Sequence, residues 1–235
     1  MAPSSAQENG TVLADLWGKL ATIFRANPKV WFGIQNEPTT KADEWYPVAQ
    51  ACISAIRATR NTNKICMPSH DASGARSFVD GGSEALFAAL KDPANNTVIQ
   101  VHIYYDSKNS GNAEILPNTG PYFPDRIKGV PATAAQIGEA RLTAVTNWAR
   151  SHGKQIFIGE LALCQTAIDG SDQTARMTAT WRNTMEYINA NADIIIGFTW
   201  WEYGPSSWSG NIFDLRPSGG VDNARMNVIK NDFVN

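Results

Sequence analysis

The chain has 235 residues, 43% of them hydrophobic and 18% charged, with a formal net charge of −2. This length admits one large α/β domain or two small ones with a sizeable core, and the composition excludes an intrinsically disordered chain. The near-neutral balance without a basic block argues against a nucleic-acid surface as the main partner, and no 18-residue apolar run offers a membrane span.

In chain order, residues 1–10 (MAPSSAQENG) read as a polar N-terminal segment without the apolar core of a signal peptide. Residues 11–27 place Leu13, Leu16, Trp17, Leu20, Ile23 and Phe24 on one helical stripe, which Asn27-Pro28 ends. KVWFGIQ is then a short apolar run of the kind that makes a buried parallel strand. ADEWYPVAQACISAIRATR is helical again, with Trp45, Val48, Cys52 and Ile56 in register. The alternation continues: strand KICMPS and helix GSEALFAALK, then strand TVIQVHIYY and helix TAAQIGEARLTAVTNWARSH. Strand QIFIGELAL leads to helix DQTARMTATWRNTMEYINAN, and strand DIIIGFTWW to a last helix near DNARMNVIK. Strands alternating with helices imply right-handed βαβ units and a parallel sheet, so residues 11–235 read as a single α/β domain. Residues 106–132, rich in Asn, Gly and Pro, read as a long loop, functional or mobile rather than structural, after a strand's carboxyl end.

Cys52, Cys66 and Cys164 are an odd number without metal-ligand spacing, compatible with one disulfide or with buried thiols. The three histidines, His70, His102 and His152, do not suggest a zinc site, so neither metal nor cofactor is expected. The eight tryptophans suit core packing and also stacking on sugar rings.

The chemistry lies at the strand ends. Asn36 and Glu37 follow VWFGIQ, His102 and Tyr104 follow VIQV, Glu160 follows QIFIG, and Trp200, Trp201 and Glu202 follow IIIGFT. In a parallel sheet such ends share one face and can converge. Two carboxylates from separate strands are what glycoside hydrolysis requires, one a protonated acid and the other an ionised nucleophile or base. The two roles demand opposite pKa shifts, upward by burial and downward by hydrogen bonds. His102 and Tyr104 are suitable donors to a carboxylate, and Trp201 offers a stacking floor for a pyranose. Taken singly, each has a structural reading as well: a cap, an ion-pair partner, a satisfied core histidine, or a packed indole.

GIQNEP resembles the Asn-Glu-Pro signature of glycoside hydrolase family 5, whose members are retaining (β/α)8 barrels. VHIYYDSKNSG resembles the His-x-Tyr strand end and following loop of its fungal endo-β-1,4-glucanases; IFIGELAL stands where the nucleophile strand should be, and GFTWWEYGPSSW is similar to the last-strand segment. The ordered set spans essentially the whole chain. The resemblance implies a partial (β/α)8 barrel of about five β/α units, strands 4 to 8 of the family, after one preceding helix. It implies Glu37 as acid/base, Asn36 at the sugar 2-hydroxyl, Glu160 as nucleophile oriented by His102 and Tyr104, Trp201 as platform, and Trp208 extending the cleft. It gives no counterpart to the family's arginine after the second strand or histidine after the third, and Leu161 stands where a small or polar residue is usual. An N-terminally truncated barrel is therefore expected, with reduced or lost activity on β-1,4-glucan. A non-catalytic glycan-binding or protein-interaction half-barrel, and a β-mannanase, are the alternatives. The resemblance also implies secretion. Exposed sheet edges predict a homo-oligomer, most simply a dimer, unless the SAQENG start folds over one edge.

Overall fold

The structure is a computed structural model that describes residues 6–105, 122–163, 172–203 and 213–233. The elements run α1 (Ala6–Ile23), β1 (Phe32–Gly33), α2 (Ala42–Ala58), β2 (Ile65–Pro68), α3 (Ser77–Asp80), α4 (Ser83–Ala89) and β3 (Thr97–Tyr104). They continue β4 (Tyr122–Ile127), β5 (Val130–Ala132), α5 (Ile137–Ser151), β6 (Ile156–Ala162), α6 (Asp172–Ala190), β7 (Ile195–Trp200) and α7 (Ala224–Phe233). Every expected strand is present, in a five-stranded sheet of order β1-β2-β3-β6-β7. The chain forms two compact units, Met1–Val101 with Val145–Phe157, and His102–Ala144 with Ile158–Asn235.

In the first unit β1, β2 and β3 pair in parallel, with Phe32 opposite Ile65, and Ile65 opposite Thr97. The amide of Ile99 donates to the carbonyl of Gln155 at the start of β6, 2.9 Å away. The runs are apolar because both faces are covered: Ile65, Met67, Val98 and Ile99 are all buried. Trp45, Val48, Cys52 and Ile56 of α2 are buried in the expected register. Cys52 and Cys66 are free, and burial pushes their thiols up to about 12 and about 11, a nearby Lys64 acting weakly the other way on Cys66. Cys164 lies outside the described residues.

Helix α1 departs from expectation in two respects. It begins at Ala6, inside the polar segment assigned to 1–10, since Ala6, Gln7 and Glu8 are good helix formers and an acid near a helix start is favourable. It also packs through small residues as well as through part of the apolar stripe. A Cβ on Gly10 would meet Val48 at 3.2 Å, one on Gly18 would sit 3.7 Å from Ala55, and Ala21 is fully buried. Of the apolar residues along this stretch, Leu13, Trp17 and Leu20 are half-buried, whereas Val12, Leu16, Ile23 and Phe24 are exposed. The β1 edge is short, and α1 lies against its end: the indole of Trp17 donates to the Ile34 carbonyl at 3.0 Å and meets Phe32 edge-on at 5.9 Å.

In the second unit the fully buried Trp181 of α6 packs edge-on against Phe198 and Trp200 of β7, with ring centroids 6.2 and 5.6 Å apart. Gly138 lets α5 approach α6 closely, since a Cβ there would lie 2.3 Å from the Thr184 hydroxyl. Part of the expected loop over 106–132 is regular structure: β4 and β5 form an antiparallel hairpin, Ile127 opposite Val130. Its two-residue turn, Lys128-Gly129, has φ of 49° and 81°, the left-handed pair that matches the twist of a hairpin. Residues 106–121 lie outside the described residues.

Candidate active site

Each unit carries part of the expected site. In the first, β1 runs out at Gly33; Ile34 is buried, Gln35 and Asn36 are exposed, Glu37 is half-buried and Pro38 buried. Glu37 has φ 41°, a left-handed conformation that a non-glycine residue rarely adopts. It borders a cavity of about 410 Å³ shared with Leu13, Gln35, Pro38, Thr39 and Trp45. The bend at 34–38 therefore sets a carboxylate at an open strand end instead of letting it continue the sheet.

In the second unit His102, Tyr104 and Glu160 come together, and all three are buried. The period-two register of β3 puts His102 and Tyr104 on one face. Tyr104 donates a short hydrogen bond from its hydroxyl to Oε2 of Glu160. His102 Nδ1 stands 3.5 Å from the same oxygen. A buried carboxylate loses hydration, and a donated hydroxyl together with a nearby imidazole compensates it while fixing its direction. Tyr104 is itself held from behind, packing on Ala162, Phe213 and the partly buried Trp200, with its ring centroid 5.5 Å from that of Phe213.

The paired tryptophans divide their duties. Trp200 points into the unit, its indole donating to the Phe213 carbonyl at 3.0 Å. Trp201 is turned outward and 37% exposed, with its backbone amide fixed on the Leu161 carbonyl at 3.0 Å, one residue beyond Glu160. Glu202 is buried at the same strand end, its backbone bonded to Phe213 and Leu215. Trp208 lies outside the described residues.

Sequence reasoning overlooked Arg141. This α5 side chain is 1% exposed, donates to the carbonyl of Tyr104, and pairs with the buried Asp125 of β4 at 3.1 Å. It thus anchors the backbone of the residue that bonds Glu160. The available signal was its spacing: Arg141 falls four residues after Ile137 and four before Val145, both fully buried, so a cation sits on the apolar stripe of the helix. A buried arginine needs an anionic partner, and Asp125 supplies it.

Residues 2–206 match the family model described as Cellulase (glycosyl hydrolase family 5). The chain is 30% identical over 227 residues to Endoglucanase 3 of Humicola insolens, a match covering 94% of this chain and 50% of that protein. It is 31% identical over 215 residues to Endo-beta-1,4-glucanase A of Emericella nidulans, covering 88% of this chain and 56% of that one. Among solved structures it is similar to XacCel5A in complex with cellopentaose, at TM-score 0.77 and 28% identity over 94% of this chain and 65% of that chain. An endo-beta-1,4-glucanase from Xanthomonas axonopodis pv. citri gives TM-score 0.76 and 26% identity with the same coverage. The chain thus spans about half the length of the relatives it matches in sequence. Its five-stranded α/β arrangement is that of a partial (β/α)8 barrel preceded by a helix.

Proposed function

The chain belongs to glycosyl hydrolase family 5, and from that premise we propose that it hydrolyses β-1,4-glucan with retention of configuration, using Glu160 as nucleophile and Glu37 as acid/base. Glu160 attacks the anomeric carbon while Glu37 protonates the departing glycosidic oxygen, leaving a glycosyl ester on Glu160. Glu37 then takes a proton from water, which attacks the same carbon and releases the sugar. Asn36 binds the 2-hydroxyl at the reacting ring, and Trp201 and Trp208 carry neighbouring sugars. Tyr104 and His102 orient the carboxylate of Glu160, and residues 11–235 serve as one catalytic-type domain.

The observation that carries this reading is the buried Tyr104–Glu160 hydrogen bond with His102 beside it, at the end of β6. Nothing in an ordinary core calls for burying a carboxylate between a phenol and an imidazole. Turnover by this chain alone is proposed to be weak, because residues 1–235 offer no counterpart to the family's further arginine and histidine near the nucleophile. A deoxyfluoro-cellobioside with an activated leaving group tests the reading, since it traps the glycosyl ester. Mass spectrometry should place the label on Glu160. An unlabelled chain that still binds cello-oligosaccharides would instead favour a glycan-binding role.

We further propose that the protein is secreted, like the fungal glucanases it resembles, and that it self-associates through the outward apolar side chains of α1. Ile23 is 70% exposed at the end of the helix, beside the exposed Phe24, whereas Val12 and Leu16 also wall the cavity that Glu37 borders. Sedimentation at a mass well above 25.6 kDa is expected, and Ile23→Lys with Phe24→Lys should return the chain to monomer mass.

A further inference from the structure

The loop after β2 contains a backbone feature that the chemistry so far leaves unused. Asp71, Ala72 and Ser73 have φ of 57°, 51° and 59°, one complete left-handed turn built from three successive non-glycine residues. Single residues visit this region, but side chains with a Cβ clash with the following carbonyl there, and consecutive ones are unusual. Such strain persists only where the surroundings over-determine it, and it gathers at functional sites.

The surroundings here are specific. The chain leaves β2 at Pro68, whose carbonyl accepts from the Trp45 indole at 3.2 Å. Ser69 donates its amide to the Gln100 carbonyl at 3.3 Å and accepts from the buried Ser73 hydroxyl at the same distance. The buried His70 is locked by Ser83, with Nδ1 2.6 Å from the fully buried hydroxyl. The turn closes by a Gly74 amide to Asp71 carbonyl bond of 3.1 Å. Held in this way, the turn presents the Ala72 amide to the carbonyl of Pro38, 3.1 Å away. Pro38 is the residue directly after Glu37, which itself has φ 41°.

We propose that the left-handed turn 71–73 is the positioning element for Glu37, with Ala72 as the positioning residue. Its backbone donor pins the Pro38-Thr39 peptide, the unit directly after the Glu37-Pro38 bond, and so fixes the direction from which the carboxyl group works. Proline at 38 has no N–H with which to anchor itself, so this corner is held through its carbonyl. The consequence for the reaction rests on the acid/base reading of Glu37; the clamp itself does not.

The test has two arms. Amide exchange followed by NMR on the whole chain should find the Ala72 N–H protected by about 10²-fold or more over a free peptide, and exchange at the free-peptide rate overturns the proposal. The second arm compares Ala72→Val, whose branched Cβ opposes the turn, with Ala72→Gly, which keeps the donor and accepts positive φ. On phenyl β-cellobioside, whose leaving group needs a proton, kcat/KM should fall about 10- to 100-fold in Ala72→Val. On dinitrophenyl β-cellobioside, which needs none, the variant should stay within about threefold of the parent, and Ala72→Gly should do so on both substrates. An equal loss on both substrates would mean general loosening and would overturn positioning of an acid. Glu37→Gln separates the two ideas. If it leaves phenyl cellobioside cleavage intact, the acid/base reading fails, whereas the clamp stands or falls on Ala72 exchange.

Discussion

The two units bury charge in different ways. In the first, Arg57 and Asp92 close on each other through two parallel bonds of 2.7 and 3.0 Å, with both side chains about 5% exposed. Further bonds surround them: Thr97 and the amides of Asn96 and Ala94 donate to Asp92, and Arg57 donates to the carbonyls of Asn61 and Asn63. In the second, Arg141 and Asp125 form a comparable buried pair, but that arginine also reaches the backbone of Tyr104, whose hydroxyl reaches Glu160. The first network ends in itself and ties α2 to the loop before β3. The second ends on a carboxylate at a strand end. A buried ion pair is weak evidence for function, but a chain of such contacts that terminates on a buried carboxylate at a strand end is stronger.

The difference is open to breakage at its functional end first. Glu160→Gln should lower turnover of a soluble cellulose derivative by about 10³-fold or more while leaving the melting temperature within a few degrees, because the side chain keeps its shape and its Tyr104 contact. An unfolded variant, or one with full turnover, would place Glu160 with the closed networks instead.

At the other end, Asp92→Asn should cost about 3–5 kcal/mol of stability, since it leaves the Arg57 guanidinium buried without its counter-charge. Activity per folded molecule should not change. The effect also has a pH signature. Burial by itself would raise the Asp92 carboxyl, but the Arg57 guanidinium, the Thr97 hydroxyl and the Asn96 and Ala94 amides more than offset this and hold it well below the usual carboxylate range. A depressed folded value means that its stabilisation is complete above about pH 4, where the unfolded carboxyl is ionised, and is lost as the pH falls further. Urea midpoints at pH 7 and pH 3 should therefore draw closer together in Asp92→Asn than in the parent.

These contrasts also mark what could be read in advance. Period-two and helical runs located every strand of the sheet and its flanking helices, because both-sided burial leaves continuous apolar stretches such as TVIQVHIYY. Glu160, His102 and Tyr104 were legible because they end such runs. The face of α1 was legible only in part: Leu13, Trp17 and Leu20 are half-buried as the stripe implies, but Gly10, Gly18 and Ala21 supply the close packing and Leu16, Ile23 and Phe24 stay exposed. Nor was the turn at 71–73, because HDAS contains no glycine to announce a left-handed backbone. Arg141 lay between the two cases: its position on an apolar stripe was visible, while its partners came from non-local folding. Helical period says where a side chain points but not what it will meet.

A finer probe of the second unit removes the donor to Glu160. Tyr104→Phe deletes one hydrogen bond to a charged acceptor and retains the ring that packs on Phe213. Loss of such a bond is worth about 1.5–3 kcal/mol, so kcat/KM should drop about 10- to 100-fold with little change in KM. If it falls no more than in a surface control, His102 orients the carboxylate without help from the phenol.

The smallest effect concerns the tryptophan pair, and it tests whether the outward ring serves substrate or merely remains exposed. Trp201 keeps its backbone on Leu161 whichever side chain it carries, so Trp201→Ala should leave β7 in place. Losing an exposed aromatic platform removes about 0.5–1.5 kcal/mol of stacking, which predicts cellopentaose binding weaker by about 2- to 10-fold at unchanged stability. Trp200→Ala should show the reverse pattern. That indole packs on Trp181 and donates to Phe213, so its removal opens a hole and lowers the melting temperature. Isothermal titration and thermal unfolding of both variants give four numbers. The assignment holds only if the binding loss follows Trp201 and the stability loss follows Trp200. Equal losses of stability in both would make Trp201 a packing residue that happens to face out, and the sugar floor would have to be sought elsewhere along the strand ends.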